Sequence, residues 1–301
     1  MFVIFGAAGP VGRMSATVLR RAGREVRAVV RHVEQGAPLA AIGCEIAVAD
    51  LNDAASLVRA LDDAHAVQML CPVPRAHDDP AAAMRQTIDA SVAALRAARP
   101  PHVLALSDYG AEHPHGTGIT TLFHYLETQL RGIDAQLTFL RAAEHMHKWA
   151  RVLPMALAKG VLPSLHHPLD KLFPTVAAED VGSLAAELLL DDSRAQASPR
   201  VVSVESDRRV SALDVARTLA EVAGRPVVAH EVPRDEWTVV LRHAGLGELH
   251  TRLIVDLYDA HNAGRIDVEA HVSERRFGAT SLAQALAALL TRVSDAAANA
   301  R

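Results

Sequence analysis

MFVIFGAAGPVGRMSATVLRRAG, residues 1–23, is the stretch whose reading decides the fold. Phe2 to Phe5 form a short apolar run that ends in glycine, the pattern of a strand buried on both faces of a parallel sheet. The period then changes. Val11, Met14, Val18, Leu19 and Ala22 recur at helical spacing, and Gly23 stands where a helix stops. Between strand and helix lies GAAGPVG, with Gly6, Gly9 and Gly12 each three residues apart. Glycines so placed let a turn approach a pyrophosphate, whose charge meets the N–H groups at the positive end of the next helix. A helix start packed closely on a sheet also selects small residues, so the triplet needs support from elsewhere in the chain.

The alternation continues outward from this unit. EVRAVVR (25–31), CEIAVAD (44–50), AVQMLC (66–71), HVLALS (102–107) and AQLTFLR (135–141) read as further strands. Helical patterns lie between them, including DAASLVRALDDA (53–64) and a segment marked by Met84, Ile88, Val92 and Leu95 and closed by Pro100 and Pro101. Six strands in this alternation predict an α/β fold with a doubly wound parallel sheet. Beyond Arg141 the pattern loosens around Pro154, Pro163, Pro168 and Pro174, which predicts loops and short helices rather than more sheet. EDVGSLAAELLLDD (179–192) returns to a helix and VVSVE (201–205) to a strand, and Ser211 with Asp214 makes a capping-box start. DEWTVVLRHAG, ELHTRLIVDLYDAHNAG and TSLAQALAALLTRV are amphipathic and are expected to pack as a helical cap. The expected organisation is a dinucleotide-binding domain of residues 1–143 plus 174–205, and a smaller, mainly helical substrate-side subdomain of residues 144–173 plus 206–301.

Composition narrows the function. Half of the 301 residues are apolar and the net charge is −4, which gives no reason to expect a nucleic acid or an anionic membrane as partner. A small-molecule substrate is the default, with a homodimer or a regulatory protein partner left open. Two cysteines, Cys44 and Cys71, outside any CxxC, suit a reducing compartment, and no apolar run reaches about 18 residues, so the chain reads as cytoplasmic. The histidine pairs His113/His115, His145/His147 and His166/His167 fall in expected loops without further ligands, so no metal is expected. Neither a Gly-x-Ser-x-Gly elbow nor a GxxxxGK[ST] loop occurs.

The candidate cofactor contacts are Gly6, Ala8, Gly9, Pro10, Val11 and Gly12 of the turn, with Leu70 and Cys71 at the end of the fourth strand. Arg31 ends the second strand, nineteen residues after Gly12, where an NAD site would carry Asp or Glu for the ribose 2′-hydroxyl. An arginine there can pair bidentately with a 2′-phosphate, which favours NADP(H); its plainer role is a solvated charge. Asp50 and Leu51 stand where the adenine edge is expected, and Asp50 serves equally as a cap for the following helix.

GAAGPVG, VVRH (29–32), ADLNDAASL (49–57), LSDYGAE (106–112), ETQLRGIDAQLTFLRAAEHM (127–146) and PTVAAEDVG (174–182) stand in an order that resembles the NmrA-like proteins, a group of atypical short-chain dehydrogenase/reductases. The resemblance covers nearly the whole chain, including LYDAHNAG (257–264). It implies a Rossmann domain with NADP(H) in the cleft, and either a reductase of quinones, enones or related small molecules or a redox sensor without turnover.

A short-chain reductase in general needs a proton donor beside the hydride acceptor, commonly Tyr with Lys four residues later, the cation bringing the phenol toward working pH. Here Tyr109 is followed at that position by His113, Tyr125 by Gln129 and Tyr258 by Asn262, and no lysine precedes Lys148. A lysine that the resemblance places shortly before Glu127 is replaced by Leu122 or Phe123, with His124 close by. Arginine cannot substitute as an acid. The candidate catalytic residues are therefore His124, as proton donor or as an orienting group, and Ser107 and Tyr109 just past the fifth strand. Ser107 is also a candidate cofactor contact. A quinone-like acceptor can also take its proton from water. His145, Met146 and Trp149 are expected to wall the substrate pocket or, alternatively, to pack between subdomains.

Overall fold

The computed structural model describes residues 1–74, 77–191 and 198–299. Residues 75, 76, 192–197, 300 and 301, which the expected domains include, lie outside the described residues. The chain begins β1 (Phe2–Phe5), α1 (Pro10–Arg21), β2 (Val26–Val30), α2 (Ala37–Ala40), β3 (Glu45–Val48), α3 (Ala54–Ala60), β4 (Ala66–Met69) and α4 (Pro80–Ala98). It continues β5 (His102–Asp108), α5 (Thr120–Leu130), β6 (Gln136–Ala142), β7 (Glu144–His145), α6 (Leu153–Lys159), β8 (Val161–Ser164), β9 (Thr175–Val176) and α7 (Ala178–Leu190). It ends β10 (Arg200–Ser206), α8 (Ala212–Ala223), β11 (Val228–Glu231), α9 (Trp237–His243), α10 (Glu248–Asn262), β12 (Glu274–Gly278) and α11 (Leu282–Asn299).

Eight strands form one parallel sheet in the order β12-β10-β6-β5-β4-β1-β2-β3. The direction of winding reverses between β1 and β4, which opens a crevice at their carboxyl ends. Both faces are covered. Ile4, Ala28, Leu104, Leu140 and Val202 pack with Ala16 and Leu19 of α1 and Ala185 and Leu189 of α7. Val3, Phe5, Met69, Val103 and Phe139 pack on the other face with Leu57, Met84, Ile88 and Leu126. This two-sided burial is why FVIF carries no polar residue, and each such side chain contributes about 1.5–3 kcal/mol on leaving water.

Two expectations from the sequence are corrected by the fold. The sheet has a strand that the pattern did not predict: β12, ERRFG, lies on the outer edge with Arg275, Arg276 and Phe277 exposed. Charged edge strands are common because they discourage pairing with other chains, and they carry no run of apolar residues to read. The stretch after Arg141 also contains more sheet than expected, in the short parallel pairs β7 with β9 and β8 with β11. The capping box of α8 forms as predicted: Asp214 N–H donates to Ser211 Oγ at 3.1 Å, and Ser211 N–H to Asp214 Oδ2 at 2.9 Å. Among the described residues no helix is long and apolar enough to cross a membrane.

Candidate functional site

The glycine turn sits at the reversal point. Gly6 has φ +68°, and a Cβ there would lie 2.5 Å from Leu70 Cδ2, so the turn is closed to a side chain on the β4 side. A Cβ on Gly12 would overlap the Gly6 carbonyl oxygen and lie 2.8 Å from Ala7 Cα. Pro10 occupies the first turn of α1, and no side chain caps that end of the helix. Its backbone is left to water or to an anion. Ala8, Gly9, Pro10 and Val11 reach the surface, and Arg13 lays its guanidinium over the turn, donating to the Ala8 carbonyl at 3.2 Å. Opposite, Gly182 of α7 lets α1 come close enough for Ser15 Oγ to donate to the Gly182 carbonyl at 3.0 Å.

Arg31 stands exposed just past β2. Asp50 is exposed and accepts from Asn52 N–H at 2.9 Å, with Leu51 partly buried beside it. The cap of α3 is not Asp50 but Asp53, whose carboxylate accepts from Ala55 N–H at 3.0 Å. Cys71 is fully buried, and its Sγ turns away to Ser91 Oγ at 4.0 Å; burial, against that weak hydrogen bond, pushes the thiol up to about 12. Only its backbone is available to a ligand.

Ser107 and Asp108, adjacent at the end of β5, point to opposite faces because strand side chains alternate. Ser107 Oγ donates to Glu127 Oε1 at 2.6 Å, and Glu127 receives both Nε and Nη2 of Arg141 at 2.8 Å. Arg141 Nη1 reaches Glu112 at 3.0 Å and Glu269 at 2.6 Å. The Ser107 hydroxyl is therefore committed to a buried ion-pair network. His124 accompanies it on α5, with Nδ1 2.9 Å from the Ala111 carbonyl. Since a carbonyl only accepts, Nδ1 carries the proton, and a neutral His124 presents a lone pair at Nε2. Tyr109 is 2% exposed and its hydroxyl has no hydrogen-bond partner among the described residues. Burial, only partly offset by Arg209 and Arg275, raises this phenol well above its ordinary range.

On the Asp108 face, a cavity is lined by Asp108 and Tyr109 from the end of β5, Glu144 and Lys148 from the segment after β6, and Tyr258 and His261 of α10. Of this cluster, Tyr109 alone is a candidate site residue from the sequence, where Tyr258 counts only as a tyrosine without a lysine partner. Glu144 Oε2 lies 3.0 Å from His166 Nε2, and the His166 ring stacks on Phe173 with centroids 3.6 Å apart. Burial raises the Glu144 carboxyl, but His166, Lys148 and His261 outweigh it and hold the group down to about 2. Burial, with the Glu144 charge adding to it and Lys148 opposing, raises Asp108 to about 6. His261 falls to about 4 and His145 to about 3, in both cases chiefly by burial, reinforced by Lys148 and opposed by Glu144. Tyr258, buried and facing Glu144, is raised well above its ordinary range. His145, Met146 and Trp149 do not line this cavity: Met146 is 1% exposed, and Trp149 stacks near Phe173 in a separate core with Leu153, Val215 and Leu286. Among the described residues no three His, Cys, Asp or Glu side chains are grouped to hold a metal ion.

These shifts fix a pH dependence. A histidine depressed by folding contributes stability that is present above its unfolded value of about 6.5 and is lost as pH falls. A carboxyl raised by folding acts in the opposite sense, so Asp108 offsets part of this between about 4 and 6. At pH 5 the unfolded chain holds about two more protons on His145 and His261, and the folded chain about one more on Asp108. Glu144, held low in the fold, acts in the same sense as the histidines, and together they outweigh Asp108, so stability rises with pH from 4 to 6. Thermal melts across this range check the slope, and a flat profile contradicts it.

The model of the NmrA-like family matches residues 1–278. Among solved structures, the triphenylmethane reductase of Citrobacter sp. complexed with NADP(H) is 21% identical, with 96% of this chain and 100% of that chain covered and a TM-score of 0.78. The NADPH-dependent quinone oxidoreductase of Escherichia coli complexed with NADPH is 20% identical, covering 96% and 100%, also with a TM-score of 0.78. A nucleoside-diphosphate-sugar epimerase of Staphylococcus aureus is 16% identical, covering 95% and 99%, with a TM-score of 0.75. These structures share the fold. No curated protein matches the chain.

Proposed function

The chain belongs to the NmrA-like family, and from that premise we propose that it is a cytoplasmic NADPH-dependent reductase of a small electrophile such as a quinone, enone or other carbonyl compound. The turn fits the cofactor: Gly6 and Gly12 sit where the chain packs too closely on itself to admit a Cβ, which leaves the backbone of the turn bare beside an uncapped helix start. In this reading Gly6, Ala8, Gly9, Pro10, Val11 and Gly12 hold the pyrophosphate, Arg31 takes the 2′-phosphate, and Asp50 and Leu51 flank the adenine. Leu70, the Cys71 backbone and Ser107 bound the rest of the cleft. Bound NADPH supplies a hydride.

The observation that carries a reductase rather than a bare binding protein is the cavity at the carboxyl ends of β5 and β6, where proton-active groups meet. Its walls come from residues 108–109 and 174 of the expected dinucleotide-binding domain and from residues 144–148, 257–261 and 266 of the other, which supports reading residues 144–173 plus 206–301 as the substrate side. Tyr109 shapes the pocket with its ring, Ser107 steadies the edge through Glu127, and His124 braces α5 against Ala111. A second reading, an NADP(H) sensor coupled to a protein partner, is favoured by one feature: Leu122, 1% exposed, and Phe123 stand where a lysine is expected.

Fluorescence titration separates the cofactors. NADPH binds at least tenfold more tightly than NADH, and Arg31→Ala removes most of that difference, a loss of about 1.4 kcal/mol or more. Equal affinities would remove the role of Arg31. NADPH oxidation against a panel of quinones, enones and dyes tests turnover; binding without turnover on any acceptor selects the sensor.

A further inference from the structure

We infer that Asp108 is the group that protonates the acceptor's oxygen, in a cavity that it lines together with Glu144 and Lys148. The inference rests on the reductase reading. The placement carries it. Asp108 ends β5, one residue past Ser107, and faces the cavity rather than the Ser107–Glu127–Arg141 network. Three separate elements converge on it: the segment carrying Glu144 and Lys148, the Tyr109 turn, and Tyr258 with His261 from α10. Lys148 lines the same cavity, and its positive charge lowers both the Asp108 and the Glu144 carboxyls.

The other groups on the cavity serve less well as donors. Tyr109 and Tyr258 are both raised by burial and so are poorer acids than a free phenol. Glu144 is paired with His166 and stays charged down to about 2, so it has no proton to give. His261 stays neutral down to about 4. Among the carboxyls, phenols and imidazole of the cavity, Asp108 combines a dischargeable proton with a place at the sheet edge, its carboxyl held near 6 by burial and the Glu144 charge against the pull of the Lys148 ammonium, the other proton-bearing group there.

In the step, the acceptor C=O gains a hydride, two electrons with one hydrogen, at carbon; the C–O π pair takes the proton from the Asp108 carboxyl. The products are a C–OH group, NADP+ and the Asp108 carboxylate, which regains a proton from water. One proton is consumed per turnover.

Two measurements test this. In the protein without cofactor, infrared titration is expected to show a buried carboxylic-acid band that disappears around pH 6, is missing in Asp108→Asn and is displaced in Asp108→Glu. With a quinone or enone acceptor, wild-type kcat is expected to fall about tenfold per pH unit above pH 6, the sense required of an acid that must be protonated. Asp108→Asn lowers kcat by about 100-fold or more and flattens that profile, while the NADPH dissociation constant changes less than about twofold. An Asp108 carboxyl ionised throughout, or an Asp108→Asn protein that keeps the wild-type rate and pH profile, overturns the donor role and leaves the reductase reading standing. Wild-type protein that binds NADPH and reduces no acceptor overturns both. The infrared titration of the wild type and of Asp108→Glu decides the protonation even if Asp108→Asn fails to fold.

Discussion

Gly12→Ala is expected to weaken NADPH binding by about 100-fold or more, a loss near 3 kcal/mol. The added methyl would overlap the Gly6 carbonyl oxygen and stand 2.8 Å from both Ala7 Cα and Gly6 C, so its neighbours are backbone and cannot rotate away. Either the turn opens or α1 slides outward, and both displace the uncapped helix end from the position that receives a phosphate. Overpacking of this kind also destabilises by about 1–3 kcal/mol. The two effects separate by comparison with Gly23→Ala. Gly23, φ +73°, ends the same helix, but a Cβ added there would meet no atom within 4 Å, so that change strains the backbone by roughly 1 kcal/mol and leaves binding intact. Fluorescence titration of both variants, with circular dichroism melts, reads the contrast. Retained affinity in a folded Gly12→Ala protein would place the pyrophosphate elsewhere.

That the turn was legible and the cavity was not has a physical reason. FVIF, the glycine spacing and the apolar period of α1 are local: two-sided burial and a close approach each leave a mark on consecutive residues. The same holds for the capping box at Ser211 and Asp214. The cavity has no such mark, because Asp108, Glu144, Lys148, Tyr258 and His261 come from three segments that only the β5–β6 pairing and the return of α10 bring together. One signal was present. In HVLALSD an apolar strand ends on a carboxylate at the carboxyl edge of the sheet, a place where a charge has few structural reasons to be. Trp149 shows the converse: a large aromatic beside a polar run reads equally as pocket or core, and only its neighbours Phe173, Leu153 and Leu286 distinguish the two. Strand β12 was hidden because an edge strand with exposed arginines has no hydrophobic pattern.

Arg141→Met is expected to destabilise the protein by about 3–5 kcal/mol, a fall in melting temperature on the order of 10 °C. Arg141 and Glu127 are each 3% exposed, and the guanidinium is the only cation that bonds to Glu127 among the described residues. Without it, Glu127 keeps the Ser107 hydroxyl as a hydrogen-bond donor but sits buried with an uncompensated charge, facing Glu112 and Glu269. The cost comes from that stranded charge, not from a large net gain when the pair forms, because desolvating both ions offsets most of their attraction. Adding Glu127→Leu to Arg141→Met should therefore restore more than half of the lost stability: the buried charge goes, and Glu112 and Glu269, 18% and 28% exposed, can turn to water. What the double variant does not restore is the tie between elements. Arg141 ends β6, Glu127 lies on α5, Glu112 follows β5 and Glu269 precedes β12, so one guanidinium pins the C-terminal return of the chain to the carboxyl edge of the sheet. A double variant that melts near the wild type yet reduces its acceptor more slowly would assign the network to holding the cavity's walls in register. One as unstable as Arg141→Met would show that the attraction itself, rather than the stranded charge, dominates.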